Sequence, residues 1–200
     1  MVRPRAVTWS LPSSELKGNN NSICDSLSSV DQFHFGIHFN DDVSRVKWPP
    51  NLKRVGFSDH FHRSVNRLSL PASVRSIQFG FDFEKTLTKM EWPASLQELF
   101  LSCRFKNSIK GVVWPNSLRK LHLGGDLKTR TPLGGIPWPA SLQVLQIGCM
   151  RNEPIDEVPL PESLKELTIV RGFNRPKYQV EWPRSLEYMD LGLEFDKSLE

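Results

Sequence analysis

Trp92-Pro93-Ala94-Ser95-Leu96-Gln97-Glu98-Leu99-Phe100-Leu101 is a phrase that the chain keeps restating. It returns as Pro-Asn-Ser-Leu-Arg-Lys-Leu-His-Leu-Gly at 115–124 and as Pro-Glu-Ser-Leu-Lys-Glu-Leu-Thr-Ile at 161–169. Prolines in the same place stand at 49, 71, 93, 115, 139, 161 and 183, so the steps are 22, 22, 22, 24, 22 and 22 residues. Tryptophan precedes five of them (Trp48, Trp92, Trp114, Trp138 and Trp182), and Leu70 and Leu160 precede the other two. A fixed period of this length marks a solenoid, in which each coil buries its apolar side chains only against its neighbours.

With the proline counted as position zero, apolar residues recur at +3, +6, +8, +12, about +16, +19 and +21. In the coil from Pro93 these are Leu96, Leu99, Leu101, Phe105, Ile109, Val112 and Trp114. The pair at +6 and +8 alternates with polar neighbours, which is the period of a strand. Proline fits just ahead of that strand, where its missing N–H leaves no ladder bond unmade. A small residue recurs at +9 (Gly36, Ser58, Gly80, Ser102, Gly124, Gly148 and Gly192), and glycine there is expected to turn the chain through positive φ. The other half of the coil shows no 3.6-residue pattern, so the return path is expected to be irregular or a second short extended piece. The fold class is therefore a mainly β solenoid, a curved stack of ~22-residue coils with a parallel strand ladder and little or no helix.

The phase runs backward through Leu27, Val30, Phe33, Phe35, Gly36, Phe39 and Trp48. Units are expected to start near 27, 49, 71, 93, 115, 139, 161 and 183, the last incomplete, making 27–200 the solenoid. Residues 1–26 read as an atypical N-terminal cap, with Val7, Trp9 and Leu11 alternating as one strand and 13–22 as its loop. At the other end Leu186, Met189, Leu191 and Phe195 would lie uncovered. A fragment of a longer array is the favoured reading; the alternative is an end-to-end contact at that uncapped C-terminal coil.

Composition excludes several classes of function. The 200 residues are 38% hydrophobic and 24% charged, ordinary for a water-exposed fold. The longest apolar runs are too short to span a bilayer, so no membrane is expected. Residues 1–10 carry Arg3 and Arg5 with no apolar stretch behind them, unlike a secretory signal. Cys24, Cys103 and Cys149 are odd in number and widely spaced, which argues against a disulfide framework and for a reducing, cytoplasmic location. Net charge is +4 and evenly spread, with 12 basic and 10 acidic residues in 1–100 against 14 and 12 in 101–200. No basic arm stands out, which disfavours a nucleic-acid partner.

Leu-x-x-Leu-x-Leu at 96–101, 118–123 and 142–147 resembles a leucine-rich repeat. The asparagine ladder of the common form is missing, and phenylalanine recurs at +12 instead, as Phe39, Phe61, Phe83, Phe105, Phe173 and Phe195. That combination resembles the FNIP repeats, 22-residue relatives named for Phe-Asn-Ile-Pro. Phe173-Asn174-Arg175-Pro176 is the clearest match and Phe39-Asn40 a partial one; elsewhere the asparagine has become Glu84, Lys106 or Asp196, and Arg151-Asn152 has lost the phenylalanine. The resemblance covers about 27–200. It implies a curved solenoid used for protein–protein contact, sometimes joined to an F-box or kinase domain, and residues 1–26 are too few for either.

Positions +5, +7 and +9 are expected to face outward on the strand side, the natural binding surface of such a stack. The partner-binding candidates there are Arg54, Gln78, Glu98, Phe100, Lys120, His122, Gln146, Glu166 and Tyr188. Phe100 is the aromatic among polar neighbours and, with Val144 and Tyr188, a candidate anchor, since aromatics dominate interface energetics. An alternative anion-binding stripe, for an acidic protein or nucleic acid, is Arg45, Arg67 and Lys89, all at +18, with Lys110 one place earlier and Arg63 and Lys85 at +14. A solvated face is the leading account of the stripe, because screening makes such spacing cheap.

His38, His60 and Asp82 share +11 in successive coils, where a two-histidine, one-carboxylate metal site is geometrically conceivable but weaker than polar loop decoration. The tryptophan row is read as core, not as a sugar platform. No Gly-x-Ser-x-Gly, P-loop, His-Glu-x-x-His or CxxC is present, and Gly124-Gly125 and Gly134-Gly135 precede no helix of the required spacing. The expectation is a non-enzymatic scaffold binding a protein on its strand face, with no cofactor and no metal.

Overall fold

Proline at the head of each coil closes a turn. The carbonyls of Pro49, Pro71, Pro93, Pro115, Pro139, Pro161 and Pro183 accept the N–H three residues on at 3.0–3.2 Å, from Leu52, Val74, Leu96, Leu118, Leu142, Leu164 and Leu186. The next carbonyl of consequence lies at +4, where it accepts two N–H groups of the following coil. Asp31 O takes Lys53 N and Arg54 N at 2.8 and 3.0 Å, and the pattern repeats to Lys165 O with Glu187 N and Tyr188 N. These bonds set the register of the strands that follow.

A computed structural model describes residues 6–9, 27, 29–126, 135–149, 158–174 and 181–196. Its strands are β1 (Ala6–Trp9), β2 (Gln32–Phe35), β3 (Arg54–Gly56), β4 (Ser76–Gln78), β5 (Glu98–Leu101), β6 (Lys120–Asp126), β7 (Val144–Cys149), β8 (Glu166–Arg171) and β9 (Tyr188–Asp190). They form one parallel nine-stranded sheet in sequence order, a β-solenoid. Arg54, Ser76, Glu98, Lys120, Val144, Glu166 and Tyr188 lie in line across it, each opposite the next. β1 pairs in parallel with β2, Ala6 opposite Gln32 through Trp9 opposite Phe35. Leu11 and the stretch 13–22 lie outside the described residues.

The return path is built from turns, not from helix or a second strand, among the described residues. One turn joins +9 to +12, as in Phe61 N to Ser58 O at 3.1 Å and Phe105 N to Ser102 O at 3.1 Å. Another joins +16 to +19, as in Leu68 N to Val65 O at 3.0 Å and Val112 N to Ile109 O at 3.1 Å.

Inside, the +6 row of Phe33, Val55, Ile77, Leu99, Leu121, Leu145 and Leu167 is fully buried. Phe39, Phe61, Phe83 and Phe105 stack ring on ring at +12, with centroids 6.2–6.4 Å apart. Phe35, Phe57 and Phe79 run beside them at +8. Trp114 and Trp138 are buried, and Trp48, Trp92 and Trp182 pack half-buried on the same core, so the tryptophan row is interior. The indole N–H groups of Trp48, Trp92, Trp114 and Trp138 meet no acceptor among the described residues.

Serine at +2 ties coil to coil. Ser73, Ser117, Ser141 and Ser163 donate from Oγ to the carbonyls of Leu52, Leu96, Leu118 and Leu142 at 2.6–2.8 Å, and Ser95 and Ser185 do the same to Val74 and Leu164. Each satisfies a carbonyl that the sheet leaves open, worth about 0.5–1.5 kcal/mol. The missing asparagine ladder thus has a substitute. Where asparagine persists at +13 it does its own bridging: Asn40 Oδ1 accepts His62 N at 3.0 Å, and Asn174 Oδ1 accepts Asp196 N at 3.3 Å.

Two expectations at +9 need correction. Of the glycines there only Gly192 has positive φ, at 79°. A Cβ on Gly80 would lie 2.1 Å from Ser58 O, and one on Gly148 would lie 2.2 Å from Gly124 O, so small residues at +9 answer close approach of the neighbouring coil. Nor is +9 a uniformly outward row: Ser58 and Gly80 are buried and Gly36, Ser102, Gly124, Gly148 and Gly192 half-buried, with Val170 exposed. The longer coil from Pro115 takes up part of its excess in a bulge, which sets Asp126 and not Gly125 opposite Cys149. Gly134 is outside the described residues.

Candidate functional site

Period-two alternation leaves +5 and +7 on the solvent side of the ladder. Arg54, Gln78, Lys120, Glu166 and Tyr188 are exposed there, while Glu98, Phe100, His122 and Gln146 are half-buried. Parallel register makes each residue the neighbour of its counterpart one coil away, ~4.8 Å off, so like positions interact. Phe100 lies flat on His122, centroids 4.4 Å apart and planes at 15°, and His122 Nδ1 hydrogen-bonds Gln146 Oε1 at 2.7 Å. Glu98 meets Lys120 at 3.6 Å, and Lys165 meets Glu187 at 2.7 Å. The hydrogen bond to Glu187 and its negative charge hold the Lys165 ammonium above its ordinary value. At the far end of the +7 row the His34 imidazole overlies Gly56, whose missing side chain makes the room. The expected face is thus a set of side-chain stacks running along the ladder.

Sequence reading passed over two features beside these rows. A cleft of about 350 Å³ opens at the entry edge of β2–β5, lined by Lys53, Arg54 and Arg75 between Asp31 and Glu98. A shallower dip of about 200 Å³ lies at the exit edge, formed by Phe81, Phe100, Gln78 and Gly80. Phe81 is an exposed aromatic, and the Arg104 guanidinium sits 4.4 Å above its ring centroid. The recurrence of Lys53, Arg75 and Arg119 at +4 was the available signal for the cleft. For the dip there was none, because +10 has no period of its own.

The +11 residues come together as an acid–base pair instead of a ligand set. His38 and His60 stack in parallel at 5.4 Å, and His60 Nδ1 donates to Asp82 Oδ2 at 2.9 Å. Asp82 Oδ1 takes Arg104 Nη1 at 3.1 Å. A guanidinium on the carboxylate repels a cation, and no group of three or more potential metal ligands occurs among the described residues. The hydrogen bond from His60, helped by the Arg104 charge, holds the Asp82 carboxyl below its ordinary value. Because its folded value is depressed, Asp82 favours the folded state above the ordinary carboxylate value, and that contribution is lost as pH falls through the lower folded one. His60→Ala should therefore raise the Asp82 titration midpoint toward the ordinary value, followed by carboxyl-carbon NMR; an unmoved midpoint would contradict the pairing.

Arg45, Arg67 and Lys89 are exposed at +18, and none makes an ion pair among the described residues. Arg63, one of the +14 pair, spends its Nε–H on Asn40 O at 2.9 Å. Cys103 is a free, exposed thiol. No helix among the described residues is long and apolar enough to cross a membrane.

Among solved structures the chain is similar to CroV588, described as "a novel circular LRR protein structure", at 29% identity and a TM-score of 0.73. The likeness covers 84% of this chain and 25% of that one, so the chain spans about a quarter of that protein's length. No family model matches the chain, and no curated protein does. The fold is a leucine-rich-repeat-like solenoid.

Proposed function

We propose that this chain is a non-enzymatic scaffold that binds a protein partner on its strand face, and that its coils are of the FNIP type. One observation carries the reading: a continuous ladder of +5 and +7 side chains, with Tyr188 exposed and Phe100 held flat on His122, stands open across β2–β9. Ordered aromatics set among polar groups supply contact area at low entropic cost, which suits protein recognition. Leucine-rich-repeat-like solenoids commonly serve as interaction scaffolds, and stacked coils give the long, rigid face such a role needs. The phenylalanine column at +12 with Asn40 and Asn174 beside it supports the FNIP assignment.

Affinity capture from a native lysate tests it. Phe100→Ala combined with Tyr188→Ala should abolish recovery of a specific partner that Arg67→Glu leaves intact. Capture unchanged by the strand-face pair would overturn the reading.

A second reading rests on the unpaired +18 row. Arg45, Arg67 and Lys89 form an anion-binding surface for an acidic protein or nucleic acid. It requires binding that falls steeply with salt and fails in Arg67→Glu. Phe100 and Tyr188 on the strand face, against a +18 row of cations alone, favour the first reading.

A further inference from the structure

We infer that the strand face over β2–β5 takes an extended acidic polypeptide segment, its carboxylates in the Lys53–Arg54–Arg75 cleft and an apolar side chain in the Phe81–Phe100 dip. This rests on the scaffold reading above and names the chemistry of its partner.

The charge pattern points there first. Four cations on the stack find an acid one coil away: Lys120 with Glu98, Lys165 with Glu187, Lys106 with Glu84 and Arg104 with Asp82. Lys53, Arg54 and Arg75 do not, and unlike the +18 row they share one recess. They sit on adjacent coils, all exposed, and no acid among the described residues lies within ion-pair distance of any of them. Adjacent coils are ~4.8 Å apart, so the three charges repel one another. They also line one recess, where walls of lower dielectric strengthen the pull on an incoming anion.

The acidic walls choose the kind of anion. Asp31 bounds the cleft on one side and Glu98, committed to Lys120, on the other. A polymer with a negative charge at every unit meets repulsion on both sides. A polypeptide brings carboxylates at chosen places and neutral or N–H-bearing groups between them, which the walls tolerate. Nucleic acid is therefore the less favoured occupant.

The dip fixes the spacing. It lies near +8 to +9 on the same coils, whereas the cleft lies at +4 to +5, a separation of about four strand residues, or ~13 Å. A segment running extended along the strands advances by the same rise per residue. Its apolar side chain therefore falls about four residues from its acidic pair. Phe81, Phe100 and the side-chain-free floor at Gly80 make the receiving surface, with Asp59 also lining it.

An array of immobilised peptides, each with two adjacent aspartates and one phenylalanine at varied separation, tests this directly, with asparagine copies and a single-stranded oligonucleotide as competitor. Signal should peak at a separation of about four residues and fall about tenfold or more in the asparagine copies. Arg75→Glu should cost a similar factor, with thermal unfolding confirming that this exposed change leaves the fold intact. Phe81→Ala should flatten the spacing preference, and Arg67→Glu should change nothing. Equal binding of asparagine copies, no spacing preference, loss on Arg67→Glu, tighter binding of the oligonucleotide, or no saturable signal would each overturn it. If lysate capture fails with Phe100→Ala/Tyr188→Ala but survives Arg54→Glu/Arg75→Glu, the scaffold reading stands and the acidic-segment inference falls alone.

Discussion

Replacing Leu121 by alanine is expected to cost about 2–5 kcal/mol of unfolding free energy. The side chain is fully buried and lies in register between Leu99 and Leu145, so the cavity has a coil on either side. Neither neighbour can close it without leaving the ladder, because both are held at sheet spacing by main-chain bonds. The same truncation at Met189, half-buried on β9 where no further strand packs among the described residues, should cost about half as much or less. Urea midpoints at unchanged slope measure both. A Leu121→Ala curve lying on that of the parent chain would mean the coil has been phased wrongly.

Gly148→Ala should be as damaging as the leucine truncation, for the opposite reason. The new Cβ would stand 2.2 Å from Gly124 O and 2.6 Å from Gly124 C, both backbone atoms of the preceding coil. A flexible side chain would swing aside; a backbone in a ladder does not. Relief requires prising β6 from β7, and about 3 kcal/mol or more is expected, the upper range for overpacking. Two other glycines separate this cause from backbone preference. Gly111 has φ of 77° and open space around it, so alanine there should cost only the left-handed strain, about 1–2 kcal/mol. Gly135 has neither strain nor neighbours, and alanine should be near neutral. Equal losses at the three sites would show that crowding between coils is not what demands glycine at +9.

Legibility in the sequence followed period. Leu99, Leu121 and Leu145 could be placed in one buried row before any coordinates, because a solenoid converts sequence offset directly into spatial neighbourhood. Phe39, Phe61, Phe83 and Phe105 followed for the same reason, as did the outward placement of Arg54, Lys120 and Tyr188. Ser73, Ser95 and Ser117 were equally periodic but mute, since a hydroxyl at a fixed offset does not say which carbonyl it will meet. Gly80 and Gly148 were misread because two causes, positive φ and close approach, select the same residue.

The strand face was legible as a face and not as a site. That Arg54 and Phe100 point outward follows from alternation. That Arg54 shares a cleft with Lys53 and Arg75, that Phe100 spends one side on His122, and that Phe81 at an aperiodic position joins it, depends on side-chain directions and inter-coil gaps.

By itself the sequence determined the repeat, the order of the coils and which rows are buried, because period and hydrophobicity act through nearest-neighbour stacking alone. Only the tertiary structure decided which charges are neutralised and which are left facing a recess. Ion pairing and cavity shape depend on ångström-scale distances between coils, and a 22-residue spacing brings a pair together without saying whether the two side chains touch.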